Sequence, residues 1–465
     1  MSGRRFFSAP EMDAAMDAML ASNSEMLRLA VRQHRLEQAL FPSADPLQTP
    51  LDDPVQPQER GWVRAKADDL VSAWLGPFAG EHYPAGGHGG QPEGTRGERS
   101  ATGVRRAPRL EFAADVHYEL IQAVRRYWSG ALYRAVIRDA EAAQRAHGDT
   151  DLGVAGLDQA LRGSLAYQAF GWIERHAQIA KYTGANGLLS SASRQRDEIA
   201  AALDEAAACH PDRLVLDAGL TLPGYYAETD FHLVPGGIHS RCYDGVVYEW
   251  AAGSTTMMSN ENADVHDSLA ARIARTAPGA DVLDVGCGFG RTIVALGREL
   301  PQARLTGADL SAPVLRLAHL RALEQGVTAR FVQADATSLT PFADASFDVV
   351  TATMLLHELP PPQVREFLRA ARRVLRPGGQ LVVLDFYLVP GGALGMFFHL
   401  GHADRNGEPF MPALLGLDLA AEARAAGFTE PAVSGYPAGQ PGDELPPRWR
   451  LPWTLIEAAR EGAAA

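Results

Sequence analysis

The stretch 282-VLDVGCGFGRT-292 decides how this chain is read. It joins a short apolar run, 281-DVLDV-285, to a turn with glycine at 286, 288 and 290. Glycine lets a backbone turn tightly and approach a ligand with no side chain in the way. A helix that begins at Arg291 points its free N–H groups back at that turn. Taken alone, such a turn is also ordinary turn chemistry. Its spacing departs from the dinucleotide fingerprint G-x-G-x-x-G, whose last glycine would fall on Arg291. A pyrophosphate cradle is therefore disfavoured. Asp284, just before the glycines, would repel a diphosphate and suit a cationic group.

Reading outward from the turn, short apolar runs alternate with helical segments. The runs are 281-DVLDV-285, 304-RLTGADL-310, 329-ARFVQAD-335, 347-FDVVTATM-354 and 380-QLVVLDF-386. The spacing predicts helices near Thr292–Leu300, Pro313–Gln325 and Pro361–Leu375, and one about Ala263–Arg275 ahead of the first run. Alternating strand and helix implies a parallel sheet with helices on both faces. Ligands of such sheets bind beyond the carboxyl ends of the strands. Three successive runs end in a carboxylate. Asp309 follows Asp284 by 25 residues, and Asp335 follows Asp309 by 26. A carboxylate at Asp309 can accept both hydroxyls of a ribose. Asp335 with the N–H of Ala336 can pair with an exocyclic amine and a ring nitrogen of adenine. A single strand-end Asp is often a helix cap or turn former; three in a row are harder to explain so. Arg376-Pro-Gly-Gly-Gln380 makes a tight turn into the fifth run.

The segments 282-VLDVGCGFGRT-292, 307-GADLS-311, 333-QADATSLTPF-342, 347-FDVVTATMLLHEL-359 and 375-LRPGGQLVVLDF-386 resemble, in order, the motifs of class I S-adenosylmethionine-dependent methyltransferases. The small-molecule group that includes quinone-biosynthesis enzymes is the nearest in flavour. The resemblance covers roughly residues 265–460, under half of the chain. It implies an α/β, Rossmann-like, seven-stranded domain with a mostly parallel sheet. It implies S-adenosyl-L-methionine as cofactor. Gly286, Gly288 and Gly290 would pass close to its amino-acid part, with Asp284 near the ammonium or orienting the loop. Asp309 would hold the ribose, Leu310 would pack on the adenine ring, and Asp335 and Ala336 would bind its edge. Backbone near Thr353 and Met354 would face the methionine part. The last two strands would form an antiparallel hairpin from 430-EPAVSGY-436 and 451-LPWTLIEA-458.

Methyl transfer to an O–H or activated C–H also requires that a proton leave, so a nearby base helps. His357, just past the fourth run, is either that base or a locally bonded or helix-capping residue. The segment 225-YYAETDFHLVPGGIHSRCYDGVVYEW-250 gathers Tyr225, Tyr226, Asp230, His232, His239, Tyr243 and Tyr248. It reads as a lid or acceptor wall, or as a seal between the two halves of the chain. His232, His239 and Tyr243 join His357 as catalytic candidates. Asp230, His232 and His239, or His399, His402 and Asp404, could each form a two-His-one-carboxylate metal set. Neither has a specific spacing, and no metal is expected. Met396, Phe397 and Phe398 either line an apolar acceptor pocket or form a packing cluster. Cys287 is given no redox role.

The N-terminal half is mostly helical and resembles no known family. Met12, Met16, Met19, Leu20, Leu27 and Val31 can share one helix face. Phe41 to Pro57 interrupts with five prolines, and a short helix is expected over Trp62–Trp74. Gly80 to Gly103 carries eight glycines, so 76–109 reads as a flexible surface loop. A long helical stretch follows over Leu110–His147, with further helices near Leu157–Tyr182 and Ser191–Ala208. The expected division is a helical domain 1–213, an aromatic and His-rich connecting or lid segment 214–264 without clean periodicity, and the methyltransferase domain 265–465.

The length of 465 residues fits two or three domains at about 150 each. Hydrophobic residues make up 46% and charged residues 21%, enough for a large core. Lys plus Arg is 43 against 56 Asp plus Glu, a net charge of −13. That argues against attachment to nucleic acid or anionic lipid by bulk charge. Three scattered cysteines make no disulfide framework. With no signal-peptide pattern and no run of 18 apolar residues, a cytoplasmic location and no membrane span are expected. The predicted activity is methylation of a small-molecule metabolite at O, N or C, the helical half covering the acceptor or forming a homodimer. The alternatives are a peptide or protein methyltransferase with an N-terminal docking domain, and a non-catalytic cofactor-fold scaffold.

Overall fold

The computed structural model describes residues 10–40, 55, 57–79, 100–148, 151–256, 265–277, 279–436 and 453–462. Its centre is a sheet with, among the described residues, eight strands. They are β1 (Leu214–Val215), β2 (Asp281–Val285), β3 (Arg304–Asp309), β4 (Ala329–Gln333), β5 (Phe347–Thr353), β6 (Leu375–Phe386), β7 (Phe428–Gly435) and β8 (Trp453–Arg460). Their order is β1-β4-β3-β2-β5-β6-β8-β7. Pairing is parallel from β1 through β6; β8 then runs antiparallel to both β6 and β7. The seven expected strands are present. The eighth is the two-residue β1, which lies beside β4 with Leu214 opposite Phe331. The direction of winding reverses at β2, whose neighbours are β3 and β5. Every residue of β2 is buried, as expected of a strand covered on both faces.

Helices Arg291–Glu299, Ala312–Glu324 and Pro361–Val374 connect the parallel strands. Ser311 caps the second by accepting from the N–H of Val314, and a proline occupies its first turn. The turn expected at Arg376–Gln380 is a bulge within β6. Phe347 faces Leu375 and Val349 faces Gln380, so the extra residues loop out of register. Arg376 ties this bulge down through Asp281 at 2.7 Å and Asp348 at 2.8 Å.

The N-terminal half is a helical assembly packed onto this domain. Its helices include Pro10–Leu40, Pro57–Ala79, Phe112–Tyr127, Tyr133–His147 and Leu165–Tyr182, with a π-helical turn over Trp128–Leu132. The stretch over Phe112–Tyr127 is buried on nearly all sides rather than on one face. Its polar residues find partners: Asp115 and Glu119 each lie 3.1 Å from Arg60. The loop expected over 76–109 is only partly one. Residues 76–79 belong to the helix Pro57–Ala79, and residues 80–99 lie outside the described residues. Residues 100–109 pack down because Val104 and Ala107 are apolar and buried, and Thr102 Oγ1 donates to Leu323 O at 2.9 Å. The proline-rich residues 41–54 also lie outside the described set.

The connecting segment holds a helix, Asp244–Thr256, where no clean period was readable. Its buried Val246, Val247 and Ala251 share a cluster with Leu317 and Leu320. Its inward face is thus defined by a neighbouring helix rather than by its own pattern. No helix among the described residues is long and apolar enough to cross a membrane.

Candidate active site

At the carboxyl end of β2 the backbone passes through Gly286, Gly288 and Gly290 at φ of 66°, 52° and 86°. L side chains rarely adopt this region. A Cβ on Gly286 would also sit 2.9 Å from Leu355 Cδ1. Gly288 N donates to Asp309 Oδ2 at 3.0 Å, and Ser311 N donates to Asp309 Oδ1 at 2.9 Å. The β2 turn and the end of β3 are thereby locked together. Burial raises the Asp309 carboxyl to about 6 in spite of these donors. Asp284 lies beneath the turn, 1% exposed, and neither of its oxygens has a hydrogen-bond donor among the described residues. Burial, then the charge of Asp309, push it well above the usual carboxylate range.

A cavity opens over this turn, at the switch point of the sheet. Gly286, Gly288, Asp309, Leu310, Ala336, Thr353 and Met354 line it. Met354 has a positive φ of 58°, and its N–H donates to Leu384 O at 2.8 Å. Thr353 Oγ1 lies 3.3 Å from Thr292 Oγ1, which in turn lies 2.9 Å from His266 Nδ1. Asp284, Gly290 and Asp335 support the cavity without lining it. Asp335 Oδ1 accepts from the N–H and the hydroxyl of Thr337, at 2.8 and 2.7 Å, and so braces the turn that carries Ala336.

Beyond the turn the wall becomes aromatic and ionisable. His357 lines the cavity, and its Nδ1 lies 2.6 Å from Asp385 Oδ1. Asp385 comes from the end of β6, is fully buried, and also accepts from Leu356 N at 2.6 Å and Phe386 N at 2.7 Å. Burial opposes a proton on His357, but Asp385 outweighs it and the imidazole is raised to about 9. His232 lies between two carboxylates, Nδ1 at 2.7 Å from Glu408 and Nε2 at 3.1 Å from Glu358. Burial again disfavours the charge; Glu408 and then Glu358 overcome it, raising His232 to about 10. In Glu408 burial is more than offset by His232, and its carboxyl falls below the usual range. Tyr182, Tyr225, Tyr226, Tyr248 and Phe289 complete the aromatic wall. Burial pushes the hydroxyls of Tyr225, Tyr226 and Tyr248 upward, so they stay protonated.

Of the four catalytic candidates, the structure brings His357 and His232 to the cavity and leaves two away from its lining. His239 packs against Tyr226 with ring centroids 5.4 Å apart and the planes tilted by 45°, one ring behind the wall. Tyr243 lies under Arg241, whose guanidinium carbon is 5.9 Å from its ring centroid. Asp230, His232 and His239 do not form a metal set, because Asp230 Oδ1 accepts from Gly236 N at 2.9 Å and His232 turns to the two glutamates. Nor do His399, His402 and Asp404. His402 Nδ1 is 2.6 Å from Glu174, and burial pushes His399 down to about 3. Phe397 and Phe398 pack against Tyr167, Phe170 and Tyr133 of the helical half, not in the cavity.

Asp385, Glu358 and Glu408 were not singled out in the sequence. Asp385 was findable as the carboxylate at the end of β6, the position that drew attention to Asp309. Glu408 had no local signal. It reaches the cavity because Gly407, at φ 72°, lets the chain double back against residues 230–233. A Cβ there would meet Leu233 N at 3.0 Å and Asp230 O at 3.1 Å.

A methyltransferase-domain family model matches residues 282–379. The chain is 33% identical over 157 residues to a demethylmenaquinone methyltransferase of Thermus thermophilus, covering 34% of this chain and 67% of that protein. It is 32% identical over 161 residues to a ubiquinone biosynthesis O-methyltransferase of Pseudomonas syringae, covering 34% and 68%. It is 40% identical over 129 residues to a 27-O-demethylrifamycin SV methyltransferase of Amycolatopsis mediterranei, covering 27% and 46%. Each match thus spans about a third of the chain or less, and between under half and two thirds of the relative.

Proposed function

We propose, from the premise that the chain belongs to the S-adenosylmethionine-dependent methyltransferases, that it transfers a methyl group to a hydroxyl oxygen of a small, largely apolar metabolite. The observation that carries this reading is the His357–Asp385 pair on the wall of the cavity that Gly286, Gly288 and Asp309 also line. The cofactor fits the residues present. An unpaired buried carboxylate at Asp284 favours a cationic ligand, the glycine turn offers bare backbone, and Asp309 offers acceptors for ribose hydroxyls. Leu310 and Ala336 would flank the adenine, with Thr353 and Met354 beside the methionine part. When bound, S-adenosylmethionine supplies a sulfonium whose methyl is electrophilic.

The chain's own residues do the rest. The turn and Asp309 hold one reactant and the aromatic wall holds the other; such positioning alone can give effective molarities of roughly 10⁵ M or more. His357 takes the hydroxyl proton, and Asp385 orients the ring and stabilises its charge. Asp385 favours a proton on His357 in the free protein; the positive charge of a bound sulfonium would favour the neutral, basic form. Tyr225, Tyr226 and Tyr248, all uncharged, exclude water and suit a flat acceptor. Oxygen as the receiving atom accords with the names of the Pseudomonas and Amycolatopsis relatives. The helical half covers the acceptor side. Tyr182 lines the cavity, and Gln178 Nε2 donates to His232 O at 2.8 Å.

The test is release of S-adenosylhomocysteine with a panel of hydroxylated aromatic compounds. His357→Ala should lower kcat by roughly 10²–10⁴, and Asp385→Asn should lower it in the same direction. Calorimetric affinity for S-adenosylhomocysteine should be unchanged in both. Undiminished turnover in His357→Ala would remove the proposed base.

A further inference from the structure

Glu358 stands on the cavity wall together with the phenol rings of Tyr225, Tyr226 and Tyr248. Its charge acts on the hydroxyls of all three. Glu358 Oε1 lies 3.1 Å from His232 Nε2, and its other oxygen has no hydrogen-bond partner among the described residues. The side chain is 22% exposed, against 3% for His357 and 5% for Glu408. It is therefore the carboxylate of this wall that a ligand can reach. The wall is built to hold it there. His232 is clamped on its other nitrogen as well, with Nδ1 2.7 Å from Glu408. His232 N donates to Gly407 O at 3.3 Å, and His232 O accepts from Gln178 Nε2 at 2.8 Å. The backbone at His232 and Leu233 is left-handed, at φ of 54° and 58°. Side chains other than glycine rarely adopt that region, and such strain persists only where the surroundings impose it. The row Glu358, His232, Glu408 sets one imidazole between two carboxylates, so it stays negative even when the ring carries a proton. Glu408 Oε2, in a buried side chain, has no partner either. A carboxylate oxygen without a donor is costly unless something else satisfies it.

We infer that the acceptor carries, besides the hydroxyl that is methylated, a cationic amine received by Glu358 beside the rings of Tyr225, Tyr226 and Tyr248. A carboxylate next to aromatic faces favours an ammonium group, which both the charge and the ring quadrupoles attract. The open oxygen of Glu358 accepts one N–H of the amine. His232 and Glu408 are positioning residues: they hold Glu358 in place and back it with a second negative charge. His357 and Glu358 are consecutive in the short turn Leu356–Glu358 and both line the cavity. One piece of chain thus sets the amine and the reacting hydroxyl of the same molecule. The charged end selects which hydroxyl meets His357, a gain in orientation as much as in affinity. This inference rests on the methyl-transfer reading for the hydroxyl and not for the amine.

The experiment uses the full chain loaded with S-adenosylhomocysteine and titrated calorimetrically with matched phenols. The probes are ortho-, meta- and para-hydroxybenzylamine, each set against the ethylphenol of the same substitution, which has the same shape and no charge. At least one amine should bind about tenfold or more tighter than its ethylphenol, equal to about 1.4 kcal/mol. E358Q should abolish that preference while leaving ethylphenol binding and the circular dichroism spectrum as in the wild type. No amine preferred, or a preference that survives in E358Q, overturns the site. A surviving preference with weakened S-adenosylmethionine binding in E358Q would give the carboxylate to the sulfonium instead. Release of S-adenosylhomocysteine from S-adenosylmethionine with the ethylphenols but no preference for amines overturns this inference alone. An amine held through Glu358 that is never methylated sustains the amine site and overturns the methyl-transfer reading.

Discussion

Asp309 concentrates the cofactor argument in one side chain. Its two oxygens already accept from Gly288 N and Ser311 N, so its position is fixed before any ligand arrives. Burial raises it to about 6. A carboxyl raised in the folded state binds more protons there than in the unfolded chain between about pH 4 and 6. Its contribution to stability is therefore full below the unfolded pKa and lost as pH rises through about 6. Under the proposed reading cofactor binding runs the other way, because only the ionised form would offer all its lone pairs to ribose hydroxyls. Affinity for S-adenosylhomocysteine should fall as pH drops from 7 to 5, by up to about tenfold per unit. Asp309→Asn should bind weakly at pH 7 and lose that dependence. Calorimetry across this range reads both, and a flat profile in the wild type would count against ribose recognition by Asp309.

Glu174, in the helix Leu165–Tyr182, joins two elements of the molecule. It accepts from Asn406 Nδ2 at 2.7 Å and pairs with His402 at 2.6 Å and with the guanidinium of Arg405. These three residues lie near the end of the helix Gly392–Asn406, immediately before Gly407 and Glu408. Glu174 is 3% exposed. Burial raises its carboxyl, but Arg405 and His402 together outweigh this and the net is lowered. Removing one member of a buried pair costs about 3–5 kcal/mol. Glu174→Ala should lose that much in urea denaturation at pH 7, and KM for the acceptor should rise as Glu408 loosens. An acceptor KM at the wild-type value would show that this contact does not position the wall. At this scale the parallel strands were legible, because runs such as 281-DVLDV-285 and 380-QLVVLDF-386 are short, apolar and bounded by turns. The helix Asp244–Thr256 was not, because Leu317 and Leu320 decide which of its faces is inward. The packing of Phe397 and Phe398 was equally hidden, since their partners Tyr133, Tyr167 and Phe170 lie in the other half of the chain.

Across the whole molecule, one hydrophobic cluster runs from Leu27 and Phe170 through Phe398 to Val282 and Phe331. The helical half and one face of the sheet therefore share a core, and Phe398, 1% exposed, sits at their junction. Phe398→Ala should cost about 3–5 kcal/mol, with both halves unfolding in a single transition by circular dichroism and tryptophan fluorescence. Two separated transitions would mean that the halves are energetically independent. The sequence by itself determined the crevice proposed for the cofactor. The turn at 286–290 and the ends of β3, β4 and β5 follow one another along a short length of chain. Each part is specified locally, by glycine conformation, strand burial and strand-end carboxylates. Only the tertiary structure decided the wall proposed for the acceptor. Tyr182, His232, His357, Asp385 and Glu408 come from five distant segments, and no local period records which side chains will meet once sheet and helices have packed.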